Sequence, residues 1–372
     1  ISKFLKNNST ILLGLSYVGR NDQKTKSDYY DAMTNLFSAR IDYSSSFFYS
    51  NLELVNKSKN PIIIFGGVSD TFIKEGSSIL LNSGFFKDGL GLDFTFRRLE
   101  NMPLFSERIA AGNIYNESIV NYLPALTKQH DYSLANLYVY AAQPNVSFQS
   151  DNLTKVGEIG IQTDLYYFIE QETLLGGKYG TSIAINASLW NNLDGTFDFS
   201  NQNYDTDLFS FGEKYFSETS LEIRKKWSEK FENIFLLANQ YYNKRLVEET
   251  TGEVNTNVLV LENTYKINDN KSLRLELQHL STKDDTKNWS AFGLEYNISY
   301  AVSLYITDMY NYQNPVEENK IHYYNFGGSY SKGINRYTVN YGRQRGGLVC
   351  TGGICRYVPE STGLSFSITT SF

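Results

Sequence analysis

The last nine residues, Leu364-Ser365-Phe366-Ser367-Ile368-Thr369-Thr370-Ser371-Phe372, decide how the rest of the chain is read. In an extended chain successive side chains point to opposite faces. Leu364, Phe366, Ile368 and Phe372 then share one side, and Ser365, Ser367, Thr369 and Ser371 the other. A strand with one apolar and one small, polar face needs apolar surroundings on one side only. The wall of a transmembrane barrel, with lipid outside and a polar lumen inside, provides them. A soluble sandwich whose last strand alternates would show the same nine residues, so the other strands have to decide.

They favour the barrel. Leu273, Leu275 and Leu277 alternate with Arg274, Glu276 and Gln278, and Val302, Leu304 and Ile306 with Ser303, Tyr305 and Thr307. Tyr324 and Phe326 alternate with Asn325 and Gly327, and Tyr337, Val339 and Tyr341 with Thr338, Asn340 and Gly342. The connectors run short at Asn268–Asn270, long at Ser281–Asn288 and short at Asn297–Ser299. They continue long at Asn311–Lys320, short at Lys332–Gly333 and long at Arg343–Glu360. Short periplasmic turns and long outer loops are a barrel habit, and a sandwich has no reason to keep it. With Phe372 at the periplasmic end, every long connector falls outside the cell. Leu364, Phe366, Ile368 and Phe372 form the candidate carboxy-terminal signal for the barrel-assembly machinery.

Upstream the pattern continues. Ile159, Ile161, Leu165, Tyr167 and Ile169 alternate with Glu158, Gln162, Asp164 and Glu170; Ile183, Ile185, Ala187 and Leu189 alternate with Ser182, Asn186 and Ser188. Thr219, Leu221 and Ile223 alternate with Glu218, Ser220, Glu222 and Arg224, and a tight turn at Trp227–Lys230 leads into Phe231–Asn243. Lys87-Asp88-Gly89 is a hairpin signal, followed by Leu90, Leu92, Phe94 and Phe96 against Asp93, Thr95 and Arg97. Phe37–Tyr43, Phe48–Val55 and Thr10–Val18 read as weaker strands. Leu99–Pro144 does not alternate. Keeping turns and loops in step there requires a descending strand near Asn113–Tyr122 and a rising one near Tyr132–Ala141. The expectation is an all-β, antiparallel up-and-down barrel of about eighteen strands, with residues 1–372 as one domain and both termini periplasmic.

Composition agrees. The chain is 41% hydrophobic and 15% aromatic, with 29 Tyr and 24 Phe, which suits walls that are half wet and girdled by aromatics. Trp289, Tyr296, Tyr300, Tyr310 and Tyr312 read as girdle residues. No apolar run approaches the ~20 residues of a transmembrane helix; the longest cluster, Pro61–Val68, is far too short. A net charge of −6 without a basic patch argues against nucleic acid. The chain opens at Ile1 with no signal peptide, which reads as a processed chain or a fragment.

Several stretches resemble an uncharacterised, domain-of-unknown-function family of outer-membrane barrels from Bacteroidota. They are Gly89–Met102 (GLGLDFTFRRLENM), Asn121–Pro144 (NYLPALTKQHDYSLANLYVYAAQP), Leu175–Thr181 (LGGKYGT), Gly293–Tyr312 and, most closely, Tyr341–Phe372 (YGRQRGGLVCTGGICRYVPESTGLSFSITTSF). The resemblance implies fold and compartment and brings no catalytic residues. It also implies further strands before Ile1.

Sites with chemical potential are few. Cys350 and Cys355, the only cysteines, stand five apart among the glycines of Gly346–Glu360. An oxidising envelope favours a disulfide there; free thiols and a metal site are the alternatives, the latter without a neighbouring His or acidic pair. Arg343, Arg345 and Arg356 flank this pair, either as an anion- or carboxylate-binding cluster or as solvated and paired arginines. The expected lumen face is mixed: Asp93, Arg97, Glu158, Asp164, Glu170, Glu218, Glu222, Arg224, Arg274, Glu276 and Arg336. Such residues pair across strands in a filled interior or set a transverse field in a channel. Of the histidines, His130, His279 and His322, only His279-Leu280-Ser281 invites a hydrolase test, on the expected lipid side. It has no orienting Asn or Asp and no calcium-ligand pattern, so no triad is assembled. No Gly-rich phosphate loop precedes a helix, and no cofactor is expected.

The expectation is a non-enzymatic outer-membrane barrel serving as a structural or accessory subunit of an envelope complex for secretion, assembly or uptake. Arg343, Arg345, Arg356, Arg274 and Glu276 are its candidate lumen or partner contacts, and Gly346–Glu360 its docking surface. The alternative is a porin-like channel or transporter for small solutes. Expected partners are outer-membrane lipid or lipopolysaccharide, the barrel-assembly machinery, and other envelope proteins or surface lipoproteins.

Overall fold

The computed structural model describes residues 2–4, 9–21, 32–64, 67–104, 123–148, 154–351 and 354–371. The first strands are β1 (Ser2–Phe4), β2 (Thr10–Asn21), β3 (Met33–Ser44), β4 (Phe48–Ile64), β5 (Gly67–Lys87) and β6 (Leu90–Glu100). A small hairpin, β7 (Val146–Phe148) and β8 (Thr154–Val156), precedes β9 (Glu158–Ile169). Then come β10 (Thr181–Asp198), β11 (Asn203–Lys226), β12 (Phe231–Asn243), β13 (Glu253–Asn268), β14 (Lys271–Ser281) and β15 (Trp289–Asn297). The last are β16 (Val302–Tyr310), β17 (His322–Lys332), β18 (Asn335–Gln344), a second hairpin of β19 (Gly347–Thr351) and β20 (Ile354–Val358), and β21 (Ser361–Thr370).

Apart from the two hairpins, all strands belong to one seventeen-stranded sheet in which sequence neighbours pair antiparallel. Without the short β1, sixteen strands run up and down from β2 to β21. Among the described residues there are thus twenty-one strands, seventeen of them in the main sheet, against the expected count of about eighteen. Of the two strands expected within Leu99–Pro144, one is not formed. Tyr132–Ala141 is not a strand but an irregular, turn-rich stretch, and Asn113–Tyr122 lies outside the described residues.

The connectors set the two rims apart. One rim has tight turns, such as Asp88–Gly89 between Lys87 and Leu90, where φ is +48° and +80°. That left-handed pair matches the strand twist and favours glycine. The other rim has the long connectors. β5 and β11, at 21 and 24 residues, greatly exceed the ~9–11 residues that cross a bilayer. Their upper parts lean together at the loop rim: Lys74 Nζ donates to the Tyr204 carbonyl at 2.6 Å and Thr71 Oγ1 to Gln202 at 3.2 Å. A small core of Ile62, Phe72, Val146, Val156, Ile159, Leu193 and Tyr204 fills the space between them.

Alternation assigns the faces. Leu273, Leu277, Phe292, Leu304, Ile306, Phe326 and Val339 are all exposed on the outer face, as are Leu364, Phe366 and Ile368 of β21. Phe372 lies outside the described residues. Their strand neighbours face inward, where Asn186, Ser188, Glu218, Gln240, Thr256 and Gln278 are buried. β1 pairs with the foot of β2, Ser2 opposite Leu12. The ladders described at these edges join β18 to β21, and β2 to β1 and β3, and every described position of β21 is exposed. No helix among the described residues is long and apolar enough to cross a membrane.

Candidate functional site: a filled interior

Polar residues on the inner face of a sheet this wide need either water or other protein. In one half of the sheet they meet protein: residues 123–145 run along the inner face from β6 to β15. The contact is dry over much of its area. Tyr132, Leu134, Ala135, Leu137, Tyr138 and Tyr140 form one buried cluster with inward residues of β10–β15, among them Trp190, Leu236, Val258, Leu280 and Ala291. The Tyr140 ring stacks on Trp190 at 6.0 Å and Phe216 at 5.6 Å. Trp190 lies flat across β9 because residue 160 is glycine, where a Cβ would sit 2.3 Å from its ring.

Four wall carboxylates fix the segment, Glu262 by accepting the Tyr132 hydroxyl at 3.3 Å. Glu158, fully buried, receives Arg97 at 2.8 and 2.5 Å, the Tyr140 hydroxyl at 2.6 Å and the Gln143 backbone amide at 2.8 Å. Arg97 also donates to the Pro124 carbonyl at 2.6 Å, so one ion pair grips both ends of the segment. Glu218 accepts from His130 Nε2 at 2.7 Å and from Gln240, which also holds the Ala135 carbonyl. Asp164 meets Lys128 at 3.6 Å. On β14, Gln278 accepts the Leu134 amide. An unpaired buried charge costs several kcal/mol, so these pairs make the segment's position specific.

The structure thus brings together Arg97 with Glu158, Glu218 with His130, and Asp164 with Lys128. Arg274 serves Glu262 at 2.7 Å, Glu276 at 2.8 Å and Glu295 at 3.9 Å, and Arg224 holds Glu222. Asp93 accepts from Tyr49 and Arg336 donates to Ser329; Glu170 lies exposed just past β9. Sequence reasoning missed the segment's own contributors, Lys128, His130, Tyr132 and Tyr140. The failure of alternation in Leu99–Pro144 was the signal. Trp289, expected in the girdle, instead faces inward, buried and stacked on Tyr323 at 6.3 Å. Its parity on β15 outweighs the interfacial preference of its indole.

The other half of the inner face, on β3 and β4, stays partly exposed. It carries Arg40 paired with Asp42 at 3.1 Å, and Glu53 bonded to Ser38.

At the loop rim the connector after β18 turns inward. Arg343 pairs with Glu360 at 2.5 Å and lies over Tyr323. Arg345, beside Tyr323, Tyr138, Glu248 and Asp285, has its guanidinium pKa lowered by burial. Arg345 thus stands against Tyr138 of the interior segment just before the expected docking loop, whose Tyr357, Pro359 and Glu360 are exposed. The ladder sets Cys350 opposite Cys355; the side chains of Cys350, Cys355 and Arg356 lie outside the described residues.

On the outer face, His279 Nε2 meets the Tyr312 hydroxyl at 2.8 Å. His322 Nδ1 meets Asp308 at 2.6 Å and stacks on Tyr310 at 3.8 Å. Neither Ser281 nor Ser290, which stands opposite His279, hydrogen-bonds a histidine among the described residues. No group of three His, Cys, Asp or Glu among them is arranged to hold a metal.

The sheet and the segment packed against it define a class, the all-β proteins with antiparallel up-and-down strands. A family of unknown function, DUF6029, matches residues 1–372, and the chain belongs to it. No curated protein matches. Among solved structures, several variants of the Rhodopseudomonas blastica porin are similar at 8% identity, covering 97% of this chain and 100% of theirs, with a TM-score of 0.35.

Proposed function

We propose that the protein is an integral outer-membrane β-barrel whose own segment 123–145 keeps the lumen closed. In this reading it serves, without catalysis, as a structural or accessory subunit of an envelope complex. The carrying observation is the buried Arg97–Glu158 pair, tied at once to Pro124, Tyr140 and Gln143. Apolar outer rows against a polar inner face support the membrane placement. The long-loop rim faces outward from the cell and both chain ends face the periplasm. A disulfide between Cys350 and Cys355 belongs to the same oxidising setting.

The partly exposed Arg40, Asp42 and Glu53 favour a second reading, a porin-like path for small solutes beside the segment. Planar-bilayer recording separates the two. The closed reading expects no steady conductance from inserted protein, and steady conductance once a short linker replaces residues 123–145. Large, steady conductance from the intact protein would establish the channel reading instead. Copurification of the native protein without any stoichiometric partner would remove the subunit role.

A further inference from the structure

A pocket of about 230 Å³ lies on the inner wall just inside the short-turn rim. Arg224 and Lys226 of β11 line it on one side, Glu232 of β12 on the next strand, with Tyr179, Phe168 and Ile234 as its apolar surface. The ladder sets Lys226 directly opposite Glu232. Opposite charges so placed ordinarily pair, yet these two side chains form no ion pair with each other and no hydrogen bond to a described residue. Lys226 Nζ lies 4.9 Å from the centre of the Tyr179 ring instead. Arg224 holds Glu222 through Nε at 2.5 Å, which leaves its terminal nitrogens unbonded among the described residues. Glu262, also in the lining, is already taken by Arg274 and by Tyr132 of the interior segment. That contact sets the segment directly above the pocket.

We propose that this pocket binds a free zwitterion, an amino acid or short peptide. The terminal nitrogens of Arg224 and the Lys226 ammonium take the carboxylate, and Glu232 with the Tyr179 ring takes the α-ammonium. A forked guanidinium suits a carboxylate, an aromatic face suits an ammonium, and Phe168 and Ile234 leave room for an apolar side chain. Binding from the short-turn side needs no opening of the lumen, so the proposal stands or falls separately from the conductance reading.

The test is calorimetric titration of the full chain, in a non-ionic detergent, with L-leucine, N-acetyl-L-leucine and L-leucinamide. Leucine is expected to bind, and each capped form about tenfold or more weaker, the loss of one charge-assisted contact. In Lys226→Gln, leucinamide should be disfavoured less than in the natural chain. In Glu232→Gln, the same should hold for N-acetyl-leucine. No saturable binding of leucine at millimolar concentration, or equal binding of all three compounds to the natural chain, would overturn the proposal.

Discussion

Glu158 shows what one residue does here. Its carboxylate, out of contact with water, is satisfied by a guanidinium, a phenol and a backbone amide together. Arg97→Met should leave that charge without a counterion and cost about 3–5 kcal/mol, read from urea unfolding in micelles. A loss below about 1 kcal/mol, the range of an exposed pair, would mean that the segment is not gripped there. Cys350 and Cys355 offer a second test at this scale. Directly opposed residues on antiparallel strands have Cα atoms ~4.5–5.5 Å apart, within disulfide range. Unreduced protein should therefore resist alkylation and weigh two hydrogens less than the reduced form. Two alkylated thiols without reductant would contradict this.

Among elements, segment 123–145 is the one that alternation could not describe. Within it the Asn136 amide donates to the Tyr132 carbonyl and the Leu137 amide to that of Leu134, while the Asn136 side chain holds the His130 and Tyr132 carbonyls. Such local bonds compete with ladder pairing, which is why Tyr132–Ala141 turns instead of rising as a strand. Gln278→Leu should orphan the buried Leu134 amide at a cost of about 1–3 kcal/mol, visible as faster hydrogen exchange at Leu134. Unchanged exchange would place that contact elsewhere. At the far tip of the β10–β11 hairpin, hydrogen bonds from Asn201 hold the Asp198 carboxyl below its usual pKa. The turn's order should therefore persist above the ordinary carboxylate range and fade as pH falls through the lowered value. The Asn201 side-chain amide resonances report it.

At the scale of the whole molecule, the issue is the seam. The registers described for these edges pair β21 with β18, and β2 with β3 and, up to Leu12, with β1, and a bilayer does not tolerate open edges. With sixteen strands, β2 and β21 run in opposite directions, so their edges are compatible with antiparallel pairing. Amides of Leu13–Asn21 and Ser361–Thr370 should exchange slowly in lipid vesicles, as paired strands do. Exchange as fast as in an exposed loop would show the sheet to be open in the membrane.

Much was legible from the residues alone. The alternation of Leu273, Leu275 and Leu277 with Arg274, Glu276 and Gln278 named both faces of β14, because side-chain direction in a strand is a local property. The unequal connectors named the two rims, whereas the mixed charges of Arg97, Glu158 and Glu218 suited a filled interior and a channel alike. What fills it was decided only by tertiary structure. His130 meets Glu218 from 88 residues away, and Tyr132 meets Glu262 from 130. Burial of Trp289 likewise depends on what stands across the interior. Strand identity and facing are written in neighbouring residues. Pairings between the segment and the wall are chosen by the cost of leaving a buried charge alone, and that cost exists only once sheet and segment pack together.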